Sequence, residues 1–181
     1  SHARRSAQTA LWHITQAMLR WMAPFLSFTA EEAWTLVGTG SPGESIFTQV
    51  YGDLGTPDPA RLAKWTRIRE IRDVVNKDIE AVRATGRVGS SLQANVVLTA
   101  RPDDHALLAS LGDDLKFVFI TSVVDLVAGE ALATEVTPSA DVKCERCWHW
   151  RDDVGIDPAH PTICGRCTSN LYGAGEARSV A

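Results

Sequence analysis

Four cysteines, the only ones in this 181-residue chain, stand in two pairs with two residues inside each pair. The pairs are Cys144 with Cys147 and Cys164 with Cys167. In a C-x2-C turn both sulfurs point inward and the backbone N–H groups of the turn donate to the thiolates, which makes half of a tetrahedral zinc site. The two pairs therefore predict one structural Zn²⁺ held by four thiolates.

Other chemistry fits these cysteines less well. A redox C-x2-C motif is normally single and follows a strand of a thioredoxin-like unit, and disulfides are rare in a reducing compartment. A catalytic zinc keeps an open position, which four thiolates would close. His149 or His160 can replace one sulfur, although each is expected to face the surface or a partner. Iron in place of zinc stays open, because thiolates bind both metals.

Side chains suited to nucleic acid lie between and beside the cysteines, with few apolar neighbours to bury them. They are Arg146, Trp148, Trp150, Arg151 and Arg166. Aromatic rings next to guanidinium groups suit stacking on unpaired bases and contact with phosphates. In the alternative interpretation, one tryptophan covers the metal site and the other packs on the preceding part of the chain.

The composition indicates an ordinary globular chain, with 45% hydrophobic and 22% charged residues. No apolar run approaches the ~20 residues that span a bilayer, so we expect a cytoplasmic protein without a membrane partner. The net charge of -4 conceals one basic segment, residues 61–87, with eight basic and four acidic side chains. Arg72 and Lys77 in this segment are candidate phosphate contacts. The alternative is a solvated amphipathic helix.

Helical patterns dominate residues 1–87. Apolar residues at three- and four-residue spacing predict a helix over residues 4–23 that Pro24 ends. A capping box at Thr29 predicts a second, short helix, and an extended piece is expected over residues 45–51. Asp58 and Pro59 then begin a helix of six turns. We expect these helices to form an antiparallel bundle.

Residues 88–140 predict a small α/β subdomain. Alternating residues indicate a strand over 92–98, Asp103 or Asp104 can cap a helix, and a β-branched run suggests a strand over 121–127. Residues 141–181 then form the four-cysteine zinc ribbon or knuckle. The predicted fold is therefore mainly α with a small α/β subdomain and a zinc-binding segment. A helical pattern so close to Ser1 suggests a fragment of a longer chain.

Several stretches carry a family resemblance. The cysteine segments Lys143-Cys-Glu-Arg-Cys-Trp-His-Trp150 and Ile163-Cys-Gly-Arg-Cys167, with Asn170, resemble the C-terminal zinc segment of bacterial isoleucyl-tRNA synthetase. Four further stretches resemble the anticodon-binding region of the same family. They are Arg4-Arg-Ser-Ala-Gln-Thr-Ala-Leu-Trp-His13, Trp21-Met-Ala-Pro-Phe-Leu-Ser-Phe-Thr29, Arg72-Asp-Val-Val-Asn-Lys77 and Val88-Gly-Ser-Ser-Leu92. The resemblance covers nearly the whole chain.

The resemblance implies a class I aminoacyl-tRNA synthetase that uses ATP to join isoleucine to its tRNA. The family's two catalytic signatures, His-Ile-Gly-His and Lys-Met-Ser-Lys-Ser, do not occur in this sequence. We therefore expect this chain alone to be inactive, to lack the ATP and editing sites, and to come from a monomeric enzyme. What it retains is the part that grips the anticodon stem and loop.

The resemblance also suggests roles for single residues. It matches the four cysteines to zinc ligands, places Trp148 against the anticodon loop, and puts Arg146 and Arg166 at arginine positions of the family. Trp150 stands where the family often has tyrosine, so an aromatic ring is kept. The net charge of -4 suggests that the isolated chain binds tRNA weakly.

Two other functions stay possible from the sequence. The formamidopyrimidine-type DNA glycosylases have nearly the same zinc pattern, but they depend on an N-terminal proline and a β-sandwich, neither of which this sequence indicates, and no DNA partner is expected. The other is a protein-interaction module, in which the zinc ribbon docks a partner. Binding of isoleucine tRNA, of duplex DNA or of neither distinguishes the three functions.

Overall fold

The computed structural model describes residues 2–37 and 43–176, which are about half helical and contain two small β-sheets. The chain divides into two compact units, one up to residue 57 and one from residue 58. No helix in the described ranges has the length and apolar character needed to cross a membrane.

The first unit contains the helices α1 (His2–Met22) and α2 (Ser27–Val37). As predicted, α1 ends just before Pro24. The prediction that Thr29 caps α2 is wrong, since α2 begins two residues earlier. The N–H groups of Phe25 and Leu26 both donate to the carbonyl of Met22, and this tight turn brings the chain back into helix by Ser27.

A short core holds the first unit together. It consists of Leu19 from α1, Ala23 in the turn after it, Ala30 and Trp34 from α2, and Ile46. Ile46 begins a 3-10 helix, Ile46–Thr48, where an extended piece was expected. The carboxylate of Glu31 explains the turn, because it accepts hydrogen bonds from the Ile46 N–H at 2.8 Å and from the Ser45 hydroxyl at 3.0 Å.

The second unit opens with α3 (Pro59–Ala84), the long helix that the sequence predicts. Asp58 caps it by accepting hydrogen bonds from the N–H groups of Ala60 and Arg61. The buried face of α3 consists of Ile68, Ile71, Val75 and Ile79, at the spacing of one helix face. This face packs into the core beneath the three-stranded sheet. The antiparallel helical bundle stays a prediction.

The larger sheet has the strand order β2-β1-β3, with β1 (Ala94–Ala100) at its centre. The strand β2 (Val123–Ala128) runs parallel to β1 and β3 (Ala133–Pro138) antiparallel to it. The central strand starts two residues later than predicted, because Ser91–Gln93 form a 3-10 turn. The strand predicted over 121–127 is confirmed as β2, shifted by one or two residues.

Two short helices, α4 (Pro102–Ala109) and α5 (Leu115–Phe119), follow the central strand and connect it to β2. The prediction that Asp103 or Asp104 caps α4 is wrong, since Arg101 occupies the cap position and Pro102 the first turn. Asp104 instead lies buried in the first turn and pairs with Arg67 of α3. The Asp104 carboxylate, which the local sequence pattern predicts as a helix cap, thus forms an ion pair with a residue of another helix.

The cysteine segment completes the second unit with a two-stranded ribbon and one helix. The ribbon pairs β4 (Val142–Lys143) with β5 (Trp150–Arg151), and the helix is α6 (Gly165–Tyr172). The division of the chain at residues 87 and 140 into three domains stays a prediction.

Candidate functional site

The four cysteine sulfurs converge on one point. All four Sγ atoms lie within 4.8 Å of one another. The Sγ atoms of Cys144 and Cys167 are 3.8 Å apart, and so are those of Cys147 and Cys164. Four sulfurs at about 2.3 Å from one Zn²⁺, at the corners of a tetrahedron, stand about 3.8 Å apart. The observed spacing therefore fits a tetrahedral thiolate site and is far longer than a disulfide bond.

Two backbone turns bring the sulfurs together. The first turn leads from Cys144 to Trp148, whose N–H donates to the Cys144 carbonyl at 2.9 Å, and the β4–β5 ribbon closes its base. The second turn places Cys164 at the start of α6 and Cys167 in its first turn. The N–H of Cys164 donates to the Cys144 sulfur at 3.3 Å, which ties one turn to the other.

Burial and hydrogen bonding act differently on the individual thiols. Burial alone would raise the pKa of Cys144, but hydrogen bonds from the backbone N–H groups of Cys147, Cys164 and Arg146 outweigh it and lower that pKa to about 6. Burial raises the pKa of Cys147 and of Cys164. One thiol is thus disposed to ionise at neutral pH, whereas the other two need a cation to stabilise their thiolates.

The two histidines near the site do not join the four-sulfur group. His149 was expected at the surface or facing a partner, but it is partly buried, and its ring stands edge-on to Phe117 with centroids 5.5 Å apart. Burial lowers the pKa of His149, which favours its neutral form. His160 stacks on Tyr172 at 3.8 Å. The described part of the chain thus offers four sulfurs and no imidazole to the metal.

The two tryptophans of the first turn have different surroundings. Trp148 is 60% exposed and has a left-handed backbone, φ 65°. Its indole N–H donates to the Glu145 carbonyl at 3.1 Å, so the exposed ring is held in one orientation. Trp150 is partly buried, and its backbone N–H donates to the Ser122 hydroxyl at 2.6 Å. Trp150 therefore belongs to the contact with the larger sheet.

Each of the three arginines near the metal site has an internal partner. Arg146 is exposed, and its guanidinium donates to the Cys167 sulfur at 3.5 Å. Arg151 pairs with Asp153 through two hydrogen bonds of 2.8 and 3.1 Å. Arg166 pairs with Glu176 through two of 2.6 and 3.0 Å. A guanidinium has five N–H donors, so each retains donors for a further contact.

The other two predicted residues lie on α3, away from the cysteines in sequence but in the same unit. Five cations of this helix have partners within the chain: Arg61 lies 3.8 Å from Asp58, Lys64 bonds Ser110, Arg67 bonds Asp104 and Glu70, Arg69 bonds Thr66, and Arg83 bonds Glu80. Within residues 2–37 and 43–176, Arg72 and Lys77 have neither an ion pair nor a hydrogen bond through their side chains. Lys77 is exposed and available to an external anion, whereas Arg72 is partly buried, with its Nε enclosed, and can offer only the rest of its guanidinium.

Comparison with known proteins adds to this geometry. The family model described as the anticodon-binding domain of tRNA ligase matches residues 1–98, which is more than half of the chain. The chain belongs to this family. A second model, described as the zinc finger found in FPG and IleRS, matches residues 143–170 and thus includes all four cysteines. The zinc-finger match and the sulfur geometry are together consistent with one structural Zn²⁺.

Curated relatives agree with the family. The isoleucine–tRNA ligase of Ralstonia pickettii is 56% identical over 188 residues, which cover 100% of this chain and 20% of the relative. The same enzyme of Bordetella petrii is 56% identical with the same coverage, and that of Thiobacillus denitrificans is 53% identical over 98% of this chain and 19% of the relative. The chain spans about one fifth of the length of these anticodon-binding-family relatives.

The sequence analysis did not identify the residues through which the zinc segment contacts the rest of its unit. Ser122 accepts from Trp150, and Phe117 of α5 lies between His149 and the Arg166 guanidinium, whose carbon is 4.7 Å from the Phe117 ring centre. These contacts join residues 28 to 49 positions apart in the chain. A lone serine and a lone phenylalanine give no local signal of such a role.

Proposed function

We propose that this chain is the part of an isoleucine–tRNA ligase that binds the anticodon stem and loop of isoleucine tRNA. Trp148 is the observation that carries the proposal. It exposes most of a large apolar ring, yet the ring is fixed by a hydrogen bond and stands on a turn anchored at two cysteines. A pre-oriented, exposed indole suits stacking on an unpaired base, because little side-chain entropy is lost on binding.

In this proposal the metal site is structural. Cys144, Cys147, Cys164 and Cys167 bind one Zn²⁺, which cross-links the two turns when bound. The described apolar core of the segment consists of these sulfurs with Val154 and Ile163, too few side chains to order about thirty residues without a further constraint. The cysteines therefore act on RNA only by holding Trp148 and its neighbours in place.

The cations supply phosphate contacts around the stacked base. Arg146, exposed beside the first turn, and Lys143, whose ammonium lies 5.7 Å from the Trp148 ring centre, are the nearest to Trp148. Arg151 and Arg166 contribute their remaining donors, and Trp150, which is only partly buried, adds the exposed part of its ring. Arg72 and Lys77 provide a second group of contacts on α3, where no internal partner competes for them.

The whole protein would then carry out the reaction of its relatives. We propose that the full-length enzyme is a cytoplasmic, monomeric class I synthetase that uses ATP to join isoleucine to tRNA. The 181-residue chain alone should catalyse no step of this reaction. An aminoacylation assay of the purified chain with isoleucine, ATP and tRNA checks this expectation, and formation of isoleucyl-tRNA would contradict it.

A binding titration with Trp148 variants tests the proposed RNA contact. The probe is an isoleucine tRNA transcript, labelled and followed by fluorescence anisotropy at fixed salt. Trp148→Ala should weaken binding by about 1–3 kcal/mol, the contribution of one base stack, while the zinc content stays unchanged. Trp148→Phe should retain most of the affinity. Tyr172→Ala, which removes another exposed ring of the same segment, is the matched control.

The outcome also separates the alternative functions. If Trp148→Ala binds isoleucine tRNA as tightly as the unchanged chain does, Trp148 does not contact RNA and has only a packing role. Preference for duplex DNA would favour a glycosylase-type zinc finger, and absence of binding to any nucleic acid at low salt would favour a protein-interaction module. Preference for isoleucine tRNA over valine tRNA supports the proposed function.

A further inference from the structure

Each cysteine pair has an arginine directly before its second cysteine, Arg146 in the first pair and Arg166 in the second. The structure gives these two guanidinium groups different partners. That of Arg166 donates to the Glu176 carboxylate at 2.6 and 3.0 Å. That of Arg146 donates through Nη1 to the sulfur of Cys167, a cysteine of the other pair, at 3.5 Å. Equivalent positions in the two pairs therefore have different roles.

The other described cations of the cysteine segment have partners that are not sulfur atoms. Arg151 and Arg166 pair with carboxylates, and the ammonium of Lys143 lies over an indole ring. Among the described residues of this segment, Arg146 is thus the cation that hydrogen-bonds a metal ligand directly. A hydrogen bond from a charged donor is roughly twice as strong as one between neutral groups.

The sulfur site needs such a donor because it concentrates negative charge where water has little access. With four thiolates around Zn²⁺ the negative charges outnumber the positive ones by two. Cys144, Cys164 and Cys167 are each 0% exposed. Buried net charge is costly unless hydrogen-bond donors and opposite charges surround it. Backbone N–H groups serve Cys144 in this way, and the guanidinium of Arg146 does so for Cys167.

The same contact joins the two turns of the metal site. Arg146 belongs to the first turn, and Cys167 lies 21 positions later in the second. A bond in the opposite direction is made by the Cys164 N–H, which donates to the Cys144 sulfur at 3.3 Å. Each turn therefore donates one hydrogen bond to a sulfur of the other. The orientation of the Cys167 sulfur is fixed from outside the metal as well as by its own turn.

We propose that Arg146 is a positioning residue of the metal site. Its guanidinium holds the Cys167 thiolate in the orientation of a ligand and offsets part of the charge of the four sulfurs, so that the chain retains Zn²⁺ more tightly. Arg146 is exposed, and its remaining N–H donors stay available to a phosphate. The proposal concerns the metal alone and does not depend on RNA binding.

The size of the effect follows from related metal sites. Loss of a residue that hydrogen-bonds a metal ligand typically costs about 10–100-fold in metal affinity. Arg146→Gln removes the charge, so we expect a loss in this range. Arg146→Lys keeps the charge but replaces the planar fork of donors with a single ammonium. Its zinc affinity should lie between that of Arg146→Gln and that of the unchanged chain.

Competition with a chromogenic chelator measures zinc retention by the purified, zinc-loaded chain of 181 residues. Arg146→Gln should release zinc at a chelator concentration about tenfold lower or less. Lys143→Gln is the matched control, because it removes the exposed cation directly before Cys144. Water and salt screen such a charge, so its zinc affinity should change by no more than about twofold. Equal weakening in both variants would overturn the proposal, since only overall charge would then matter.

Absorption of the cobalt-substituted chain separates the bond to sulfur from a purely structural role in the turn. Co²⁺ replaces zinc at thiolate sites and gives a thiolate-to-metal charge-transfer band in the near ultraviolet. A hydrogen bond lowers the energy of the thiolate electrons, so its loss in Arg146→Gln should move this band to lower energy. Arg146→Lys should recover part of the shift, and Lys143→Gln should leave the band in place. An unmoved band in cobalt-loaded Arg146→Gln would overturn the proposal.

NMR at excess zinc shows whether the variants fold. Arg146→Gln should keep the dispersion of residues 143–176 when it is saturated with zinc. If it stays unfolded, the comparison passes to Arg146→Lys, and a zinc affinity of this variant equal to that of Lys143→Gln would overturn the proposal. These measurements contain no RNA. Their failure leaves the proposed tRNA-binding function standing, and failure to bind tRNA leaves the role of Arg146 at the metal site unaffected.

Discussion

The backbone N–H of Trp150 donates a 2.6 Å hydrogen bond to the hydroxyl of Ser122, 28 positions earlier in the chain. The same hydroxyl donates to the Leu92 carbonyl at 2.5 Å, next to the start of β1. One buried side chain thus connects the ribbon of the cysteine segment to the larger sheet. The orientation of the proposed RNA-binding surface on its own unit depends on this connection.

Replacement of Ser122 tests that connection. Ser122→Ala leaves the Trp150 N–H and the Leu92 carbonyl without their partner, so the free energy of unfolding should fall by about 1–3 kcal/mol. Urea denaturation followed by tryptophan fluorescence measures the change. Ser90→Ala, which removes an exposed hydroxyl that makes no cap hydrogen bond, should stay within about 0.5 kcal/mol of the unchanged chain. Equal stability of both variants would show that the Ser122 bonds contribute nothing net.

Loss of one cysteine should unfold the metal segment alone. In Cys164→Ser the three remaining thiols cannot close the tetrahedral site, and the few apolar side chains near it cannot offset the ordering entropy. We expect loss of stoichiometric zinc in metal analysis and collapse of the NMR dispersion of residues 143–176, with the signals of the larger sheet retained. Thr162→Ser, at an exposed position of the same segment, should keep both zinc and dispersion.

Chelator treatment of the unchanged chain gives the same test without a substitution. Removal of the metal should produce the Cys164→Ser spectrum. A native-like spectrum of residues 143–176 after the chelator has removed all metal would mean that the segment folds without it.

The Arg67–Asp104 pair should make stability depend on pH. Two 2.8 Å hydrogen bonds from Arg67 lower the pKa of Asp104 below its ordinary value near 4. A carboxylate with a lowered folded-state pKa stabilises the fold above its unfolded pKa, and that contribution is lost as the pH falls through the folded pKa. The contribution at pH 7 is on the order of 1 kcal/mol, because Arg67 is 39% exposed and water screens the pair.

Asp104→Asn should remove this pH dependence. The variant should lose stability at pH 7 and lose less than the unchanged chain does on acidification below about pH 4. Urea denaturation at several pH values measures both effects. Asp103→Asn, the exposed neighbouring carboxylate, is the control and should follow the unchanged chain. If the Asp104 variant loses as much stability on acidification as the unchanged chain, the ion pair is not the source of the pH dependence.

Salt dependence should identify the cations that touch RNA phosphates. Each lost phosphate contact reduces the slope of log affinity against log salt by about 0.7–0.9. Arg72→Gln and Lys77→Gln should each flatten the slope for isoleucine tRNA by that amount. Arg83→Gln removes a cation that Glu80 already pairs on the same helix, and its slope should change less. If the three variants have equal salt slopes, the absence of internal partners for Arg72 and Lys77 does not make them phosphate contacts.

Local pattern was sufficient wherever the determining interactions are close in sequence. The 3-4 spacing of apolar residues predicted α1 and α3, because each helix is made of bonds between residues four apart. The C-x2-C pairs predicted the metal site for the same reason, since each turn positions its own two sulfurs. Pattern failed at Asp104, which was assigned to a helix cap and instead pairs with Arg67, 37 positions away.

By itself, the sequence determined the type of each long element, the four sulfur ligands and the presence of exposed aromatic and cationic side chains among them. Only the tertiary structure decided that Trp148 faces solvent while the backbone of Trp150 bonds Ser122, and that Arg72 and Lys77 of α3 have no side-chain partner in the described part of the chain. The physical reason is that burial and pairing of a side chain depend on groups from distant parts of the chain, which periodicity and spacing do not encode.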